Sequence, residues 1–389
     1  MIYSPVVKVL QVSSALESSF GGPPKVVINA HEFLRNQGID AKLLVVGQNI
    51  NSFNSGSDTM NLLDNNVYLF PSHKSGLHGK ILTMRETVKF FKLIKECDCV
   101  LTHQVYNFQN IYLLLISKML AKPYILMPHG TLTNYQRKQH RIRKLFVDNF
   151  VFHKIVSESA AIAVATEIEK YQLDEDSLAK SSCIGIGINE VGILCHTAPK
   201  KFALNFIFVG RLAEVKRVDL TIQAFSRFLQ EFPNSNLRVA GDGDEPTVKQ
   251  LKALVNELGI HGNVYFMGWL NEEEKQDLFL NSNFIILNSE KENFAISVAE
   301  AQSYGLAALV TRTVAFSEII EKYKSGVVVE DMKVESIYEG LTRLIQLDYS
   351  EISKNALAAA ASTSWQQVIP RWISLIERVV LSEPATTAI

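Results

Sequence analysis

Short runs of apolar, largely β-branched residues alternate with stretches of helical spacing along nearly the whole chain. In the first half the runs are Val6–Val12, Lys42–Val46, Val67–Phe70, Cys99–Thr102, Tyr124–Met127, Ala161–Val164 and Cys183–Ile186. Helical patterns fall between them, notably over Lys25–Arg35, Lys80–Ile94 and Asn110–Leu120. Near-continuous apolar strands separated by amphipathic helices predict parallel sheets covered on both faces.

The pattern lapses over residues 189–203, where Ala198-Pro199-Lys200-Lys201 breaks any helix and reads as a linker. It then restarts with strand-like runs at Phe206–Val209, Leu237–Ala240, Val264–Phe266, Phe284–Leu287, Ala308–Val310 and Val327–Val329. Helices are expected over Val218–Phe232, Val248–Leu258 and Ser364–Leu381. The chain is therefore expected to be α/β, with a Rossmann-like domain over 1–195, a second over 196–363 and a terminal helix over 364–389. Open parallel sheets bind ligands beyond the carboxyl ends of their strands. Two such sheets facing an interdomain cleft would place the chemistry in the strand-to-helix loops.

Composition narrows the class. The 389 residues are 47% hydrophobic and 20% charged, as in a packed globular protein. Residues 1–195 hold 20 Lys and Arg against 16 Asp and Glu, and the remainder hold 19 against 24. Neither half has the basic excess of a nucleic-acid binder. No apolar stretch is long enough to span a bilayer. Met1–Lys8 shows no basic leader and apolar run, so a cytoplasmic protein is expected. Cys97, Cys99, Cys183 and Cys195 lack the spacing of a metal knuckle and read as small buried side chains.

Candidate chemistry lies in four loops. Gly21-Gly22-Pro23-Pro24 follows the first strand and leads into a helix, so its backbone can approach a phosphate or an acceptor closely. His129, in Pro128-His129-Gly130, stands at a strand's carboxyl end, where neutral imidazole can bond a sugar hydroxyl. Gly210-Arg211 and Lys216 share one loop, and two fixed cations there match a diphosphate. Glu292 and Glu300 bracket the start of a helix expected near Phe294. Free N–H groups of Asn293, Phe294 and Ala295 would suit hydroxyl or phosphate oxygens, and the carboxylates would suit vicinal hydroxyls. Asp242-Gly243-Asp244 has the Asp-x-Asp form of a metal site, but its place after a strand and before Glu245-Pro246 reads as a turn.

Together these loops resemble the retaining glycosyltransferases of family four (glycosyl transferases group one), which have the GT-B fold. The resemblance rests on Gly21-Gly22-Pro23, Pro128-His129-Gly130, Gly210-Arg211-Leu212 with Lys216, and the E-x₇-E spacing from Glu292 to Glu300. Ile184–Asn189 stands where members carry a Pro-Asn-Gly-Val-Asp-like segment. Asn293 replaces a frequent Gly, and Pro24 a frequent small residue. The resemblance implies that Arg211 and Lys216 bind the diphosphate, Glu300 the ribose and Glu292 the donor sugar. It implies that His129 contacts the sugar near the reacting centre and that Gly22 approaches the phosphate or the acceptor. It also implies retention by front-face attack, no metal or other cofactor, and a last helix that crosses back onto the first domain.

The expected reaction moves a sugar from a UDP- or GDP-type donor to a glycan or lipid-linked acceptor in cell-surface polysaccharide biosynthesis. Arg137–Phe146 interleaves cations with apolar positions; it reads as a solvated helix face or as a peripheral contact with an anionic membrane. Two other readings share the fold: an epimerase-like sugar-nucleotide enzyme, which would turn over without an acceptor, and a non-catalytic nucleotide-sugar-binding subunit.

Overall fold

The computed structural model describes residues 6–14, 16, 22–48, 66–71, 82–132, 152–189 and 202–382. Gly21, the linker at 198–201, Cys195 and the basic stretch 137–146 lie outside them. The chain forms two compact units, one of residues 1–187 with 368–389 and one of residues 188–367. These divisions differ by a few residues from the expected boundaries at 195 and 363.

In the first unit the apolar runs become β1 (Lys8–Ser14), β2 (Asp40–Gln48), β3 (Val67–Pro71), β4 (Cys99–His103), β5 (Tyr124–Met127), β6 (Ala161–Val164) and β7 (Ser181–Cys183). All their pairings are parallel, in the order β3-β2-β1-β4-β5-β6-β7. Side chains alternate across the sheet. Leu10, Val12, Leu44 and Val46 join Phe90, Leu93, Ile94, Leu113 and Ile116 in one core. Leu43 and Val45 pack with Leu16 and Val27 in a smaller one. Helices therefore cover both faces, which is why the strands carry no polar alternation.

The second unit repeats the plan with β8 (Asn205–Val209), β9 (Asn236–Ala240), β10 (Val264–Gly268), β11 (Phe284–Leu287), β12 (Ala307–Thr311) and β13 (Gly326–Val329). Their order is β10-β9-β8-β11-β12-β13, again parallel. β8 and β11 are neighbours held by aromatic packing. Phe206 stacks on Phe284 with ring centroids 4.8 Å apart, and Phe225 and Phe228 of the helix Val218–Glu231 meet the edge of Phe206. All four rings are fully buried. Each such side chain contributes about 1.5–3 kcal/mol through burial.

The sheet order reverses between β1 and β4 and between β8 and β11. At such switch points open parallel sheets bind ligands beyond the carboxyl ends of the strands. In the first unit, residues 368–381 of the terminal helix Trp365–Leu381 are tied to the β7 segment. Arg371 Nη1 donates to the Ile184 carbonyl at 3.3 Å, and Arg378 Nη2 to Ser182 Oγ at 2.8 Å. No helix among the described residues is long and apolar enough to cross a membrane.

Candidate functional site

Beyond β8 the chain runs through Gly210-Arg211 into a 3₁₀ turn at Glu214–Lys216, then starts the helix Val218–Glu231. The loop is braced against the segment after β9. Gly210 N–H donates to the Ala240 carbonyl at 3.0 Å, and Leu212 N–H to the Asp242 carbonyl at 2.7 Å. That approach requires glycine opposite: a Cβ on Gly241 would sit 1.9 Å from the Gly210 oxygen, and one on Gly243 2.2 Å from the Leu212 oxygen. The Asp-x-Asp triplet is thus a connecting segment after β9, with Gly243 bridged in parallel to Leu212 rather than folded into the expected turn. Asp244 caps the next helix by accepting the Thr247 N–H at 2.8 Å.

The loop after β11 comes to the same place. Glu290 N–H donates to the Val215 carbonyl at 2.9 Å, and Ser289 Oγ to the same oxygen at 3.1 Å. Lys216 Nζ is bonded to Glu292 Oε2 in an ion pair whose side chains are 16% and 21% exposed. The far side of the loop is held by the segment after β12, since Ala315 N–H donates to the Glu292 carbonyl at 3.0 Å. Arg211 is exposed at the end of β8.

The structure corrects the expected helix start. The helix runs Ile296–Ser303, and Ala295 caps it in the left-handed region with φ 69°. Ala295 N–H is not free: it donates to Glu292 Oε1 at 3.3 Å. Phe294 is buried with its ring edge against Phe316, and Asn293 is half-buried. Glu300, in the second turn, pairs with Lys275 Nζ at 3.2 Å. Lys275 comes from the helix Glu272–Leu280 after β10 and also holds Glu272 at 3.0 Å. Nothing in the sequence pattern marks Lys275.

In the first unit the helix after β1 starts at Gly22, three residues before the expected Lys25. Prolines at 23 and 24 fit its first turn, where N–H groups have no intrahelical acceptor. The ends of β4 and β5 carry two non-glycine residues in the left-handed region, Gln104 with φ 68° and His129 with φ 50°. Such outliers persist only where their surroundings over-determine them, and they cluster at functional sites. Gln104 Oε1 accepts from Ser14 Oγ at 3.1 Å and Asn107 Nδ2 at 2.9 Å.

His129 meets a second histidine that sequence reasoning passes over. His103 Nδ1 lies 3.0 Å from His129 Nε2, with the rings stacked at 5.3 Å. Burial pushes the His129 imidazole down to about 4. Burial, with His129 beside it, holds His103 well below the ordinary range. Both rings are therefore neutral at pH 7. Burial also pushes the Cys97 and Cys183 thiols up to about 12, so they stay protonated.

Residues 198–362 match the family described as Glycosyl transferases group 1. An exopolysaccharide phosphotransferase of Streptomyces coelicolor is 28% identical over 231 residues, covering 57% of this chain but only 23% of that protein. An uncharacterized glycosyltransferase of Haemophilus influenzae is 22% identical over 361 residues, covering 92% of this chain and 97% of that one. The crystal structure of Anabaena HepE in complex with UDP and glucose superposes with a TM-score of 0.74 at 15% identity, covering 96% of this chain and 100% of the other. The two parallel α/β units thus share the GT-B fold, and residues 198–362 are similar to the glycosyl transferases group 1 family.

Proposed function

We propose that the chain is a retaining, metal-independent glycosyltransferase that moves a sugar from a UDP- or GDP-type donor to a glycan or lipid-linked acceptor in cell-surface polysaccharide biosynthesis. The observation that carries this reading is the contact of Lys216 with Glu292 at the switch point between β8 and β11. It puts a cation for phosphate and a carboxylate for hydroxyls side by side in the loops that follow β8 and β11.

In this reading Arg211 and Lys216 take the diphosphate. Arg211 supplies a planar fork of donors and Lys216 a point charge. Departure of the diphosphate concentrates negative charge on its terminal oxygens, and fixed cations stabilise that charge more than the ground state. They supply what a divalent ion supplies in other phosphate-leaving reactions. Glu300 accepts from the ribose hydroxyls, with Lys275 offsetting its charge. Glu292 accepts from the donor sugar, and the backbone of Asn293, Phe294 and Ala295 borders that position. On the first unit, the family resemblance assigns neutral His129 to the sugar near its reacting carbon and the Gly22 backbone to the phosphate or acceptor. The leaving phosphate then receives the proton of the attacking hydroxyl on the same face, which retains configuration.

The test is transfer itself. The chain is incubated with UDP- and GDP-sugars, candidate acceptors and a chelator, and the product's anomeric configuration is read by NMR. Transfer to acceptor with retention is expected. Turnover without acceptor would favour an epimerase-like enzyme, and nucleotide binding without turnover a non-catalytic subunit.

A further inference from the structure

We infer that Glu169 and His103 clamp His129 from two sides and act as its positioning residues, with the result that His129 presents Nδ1–H as a hydrogen-bond donor. The inference rests on the reading of His129 as the imidazole at the donor sugar.

The first half of the clamp acts through the backbone. Glu169 lies on the short helix Glu167–Tyr171 after β6 and is 2% exposed. Its Oε1 accepts the Gly130 N–H at 2.6 Å, and its Oε2 the Ala165 N–H at 2.8 Å. One carboxylate therefore joins the loop after β5 to the loop after β6. These two partners are N–H groups, so each oxygen accepts from one, and a glutamine there would present a donor to one of them. Thr131 closes the turn from the other end, with its N–H at 3.1 Å and its Oγ1 at 2.6 Å from the Pro128 carbonyl. These bonds hold His129 in the left-handed conformation that sets the direction of its ring.

The second half acts on the ring. Between His103 Nδ1 and His129 Nε2 one nitrogen donates and the other accepts, so the tautomer of one ring dictates that of the other. His103 Nε2 is buried, with no hydrogen-bond partner among the described residues. A buried N–H without an acceptor is the rarer and costlier defect; a bare ring nitrogen is tolerated better. His103 thus carries its proton on Nδ1 and donates it to His129 Nε2. His129 must then hold its own proton on Nδ1, a donor suited to a sugar oxygen.

The direct test needs no substrate. Long-range ¹H–¹⁵N spectra of the full-length chain with ¹⁵N-labelled histidine give the tautomer of each imidazole. A protonated Nδ1 on His129 is expected, with loss of that bias in His103→Leu; a protonated Nε2 on wild-type His129 overturns the proposal. Kinetics supply the second arm, on variants shown by thermal melting to be folded. Glu169→Gln is expected to lower kcat about 10- to 100-fold with KM within about threefold, because a small misplacement of a reacting contact costs on that order. Glu169→Asp, which keeps both acceptors, is expected to recover part of the loss. Folded Glu169→Gln with wild-type kcat overturns the clamp while leaving the transferase reading intact. A wild-type chain without transferase activity defeats that reading instead, and the tautomer result is read independently of it.

Discussion

Lys216 and Glu292 stand 76 residues apart in the chain, and their side chains are bonded to each other. The contact follows from sheet order. β8 and β11 are adjacent although two strands intervene in sequence, so loops leaving both strands converge. Each charge compensates the other where both are mostly shielded from water. Removing one partner leaves the other uncompensated, which costs more than the intact pair contributes.

The pair predicts an asymmetry. Lys216→Ala leaves the Glu292 carboxylate facing the incoming phosphates, so affinity for UDP or GDP falls about tenfold or more, equivalent to about 1.4 kcal/mol. Glu292→Gln removes the proposed sugar contact and frees the cation. It is expected to keep nucleotide affinity within about threefold while transfer falls about 100-fold. Calorimetric titration with the nucleotide, paired with initial rates, separates the two effects.

The proposed function gives Glu300 the ribose hydroxyls. Wild type is then expected to bind UDP about tenfold more tightly than 2′-deoxy-UDP, the scale of hydrogen bonds to a charged group. Glu300→Ala should bind both equally and weakly. Equal affinity of wild type for the two nucleotides removes Glu300 from the ribose.

Gly241 supports the Arg211 loop by having no side chain. A Cβ there would overlap the Gly210 oxygen, and its φ of 134° is strained for any other residue. Gly241→Ala is expected to destabilise the second unit by about 2–4 kcal/mol, read by chemical denaturation. An unchanged midpoint contradicts the close approach.

The His103–His129 pair predicts acid sensitivity in a particular window. Both imidazoles are pushed down in the fold and return to about 6.5 when the chain unfolds. Below that value the unfolded state binds more protons, so stability is full above about 6.5 and falls as the pH drops toward about 4. The same shifts keep His129 neutral, so its protonation does not limit activity until the pH approaches 4. Melting temperatures across this range should fall less in a His103→Gln, His129→Gln double variant than in wild type.

Strands were the legible part of the fold. Tyr124–Met127, Ala161–Val164 and Phe284–Leu287 have their expected bounds because strands buried on both faces are unbroken apolar runs. β7 is displaced from the expected Cys183–Ile186 to Ser181–Cys183. It is an edge strand, where polar Ser181 and Ser182 are tolerated. The left-handed Ala295 delays its helix and turns an N–H back onto Glu292, and nothing about alanine announces that conformation. Motif order singles out Arg211, Lys216, Glu292, Glu300 and His129 as candidates. His103, Glu169 and Lys275 act across strand pairings or between helices, and spacing along the chain does not encode those contacts.

In the proposed function Arg211, Lys216, Glu292 and Glu300 grip one activated sugar. A crystal structure of the chain soaked with its donor, or with UDP and GDP in turn, tests this most directly. Phosphate oxygens are expected on Arg211 and Lys216 and ribose hydroxyls on Glu300, with the Lys216–Glu292 bond opened or shared with the ligand. Nucleotide bound elsewhere, with that ion pair undisturbed, would contradict this reading.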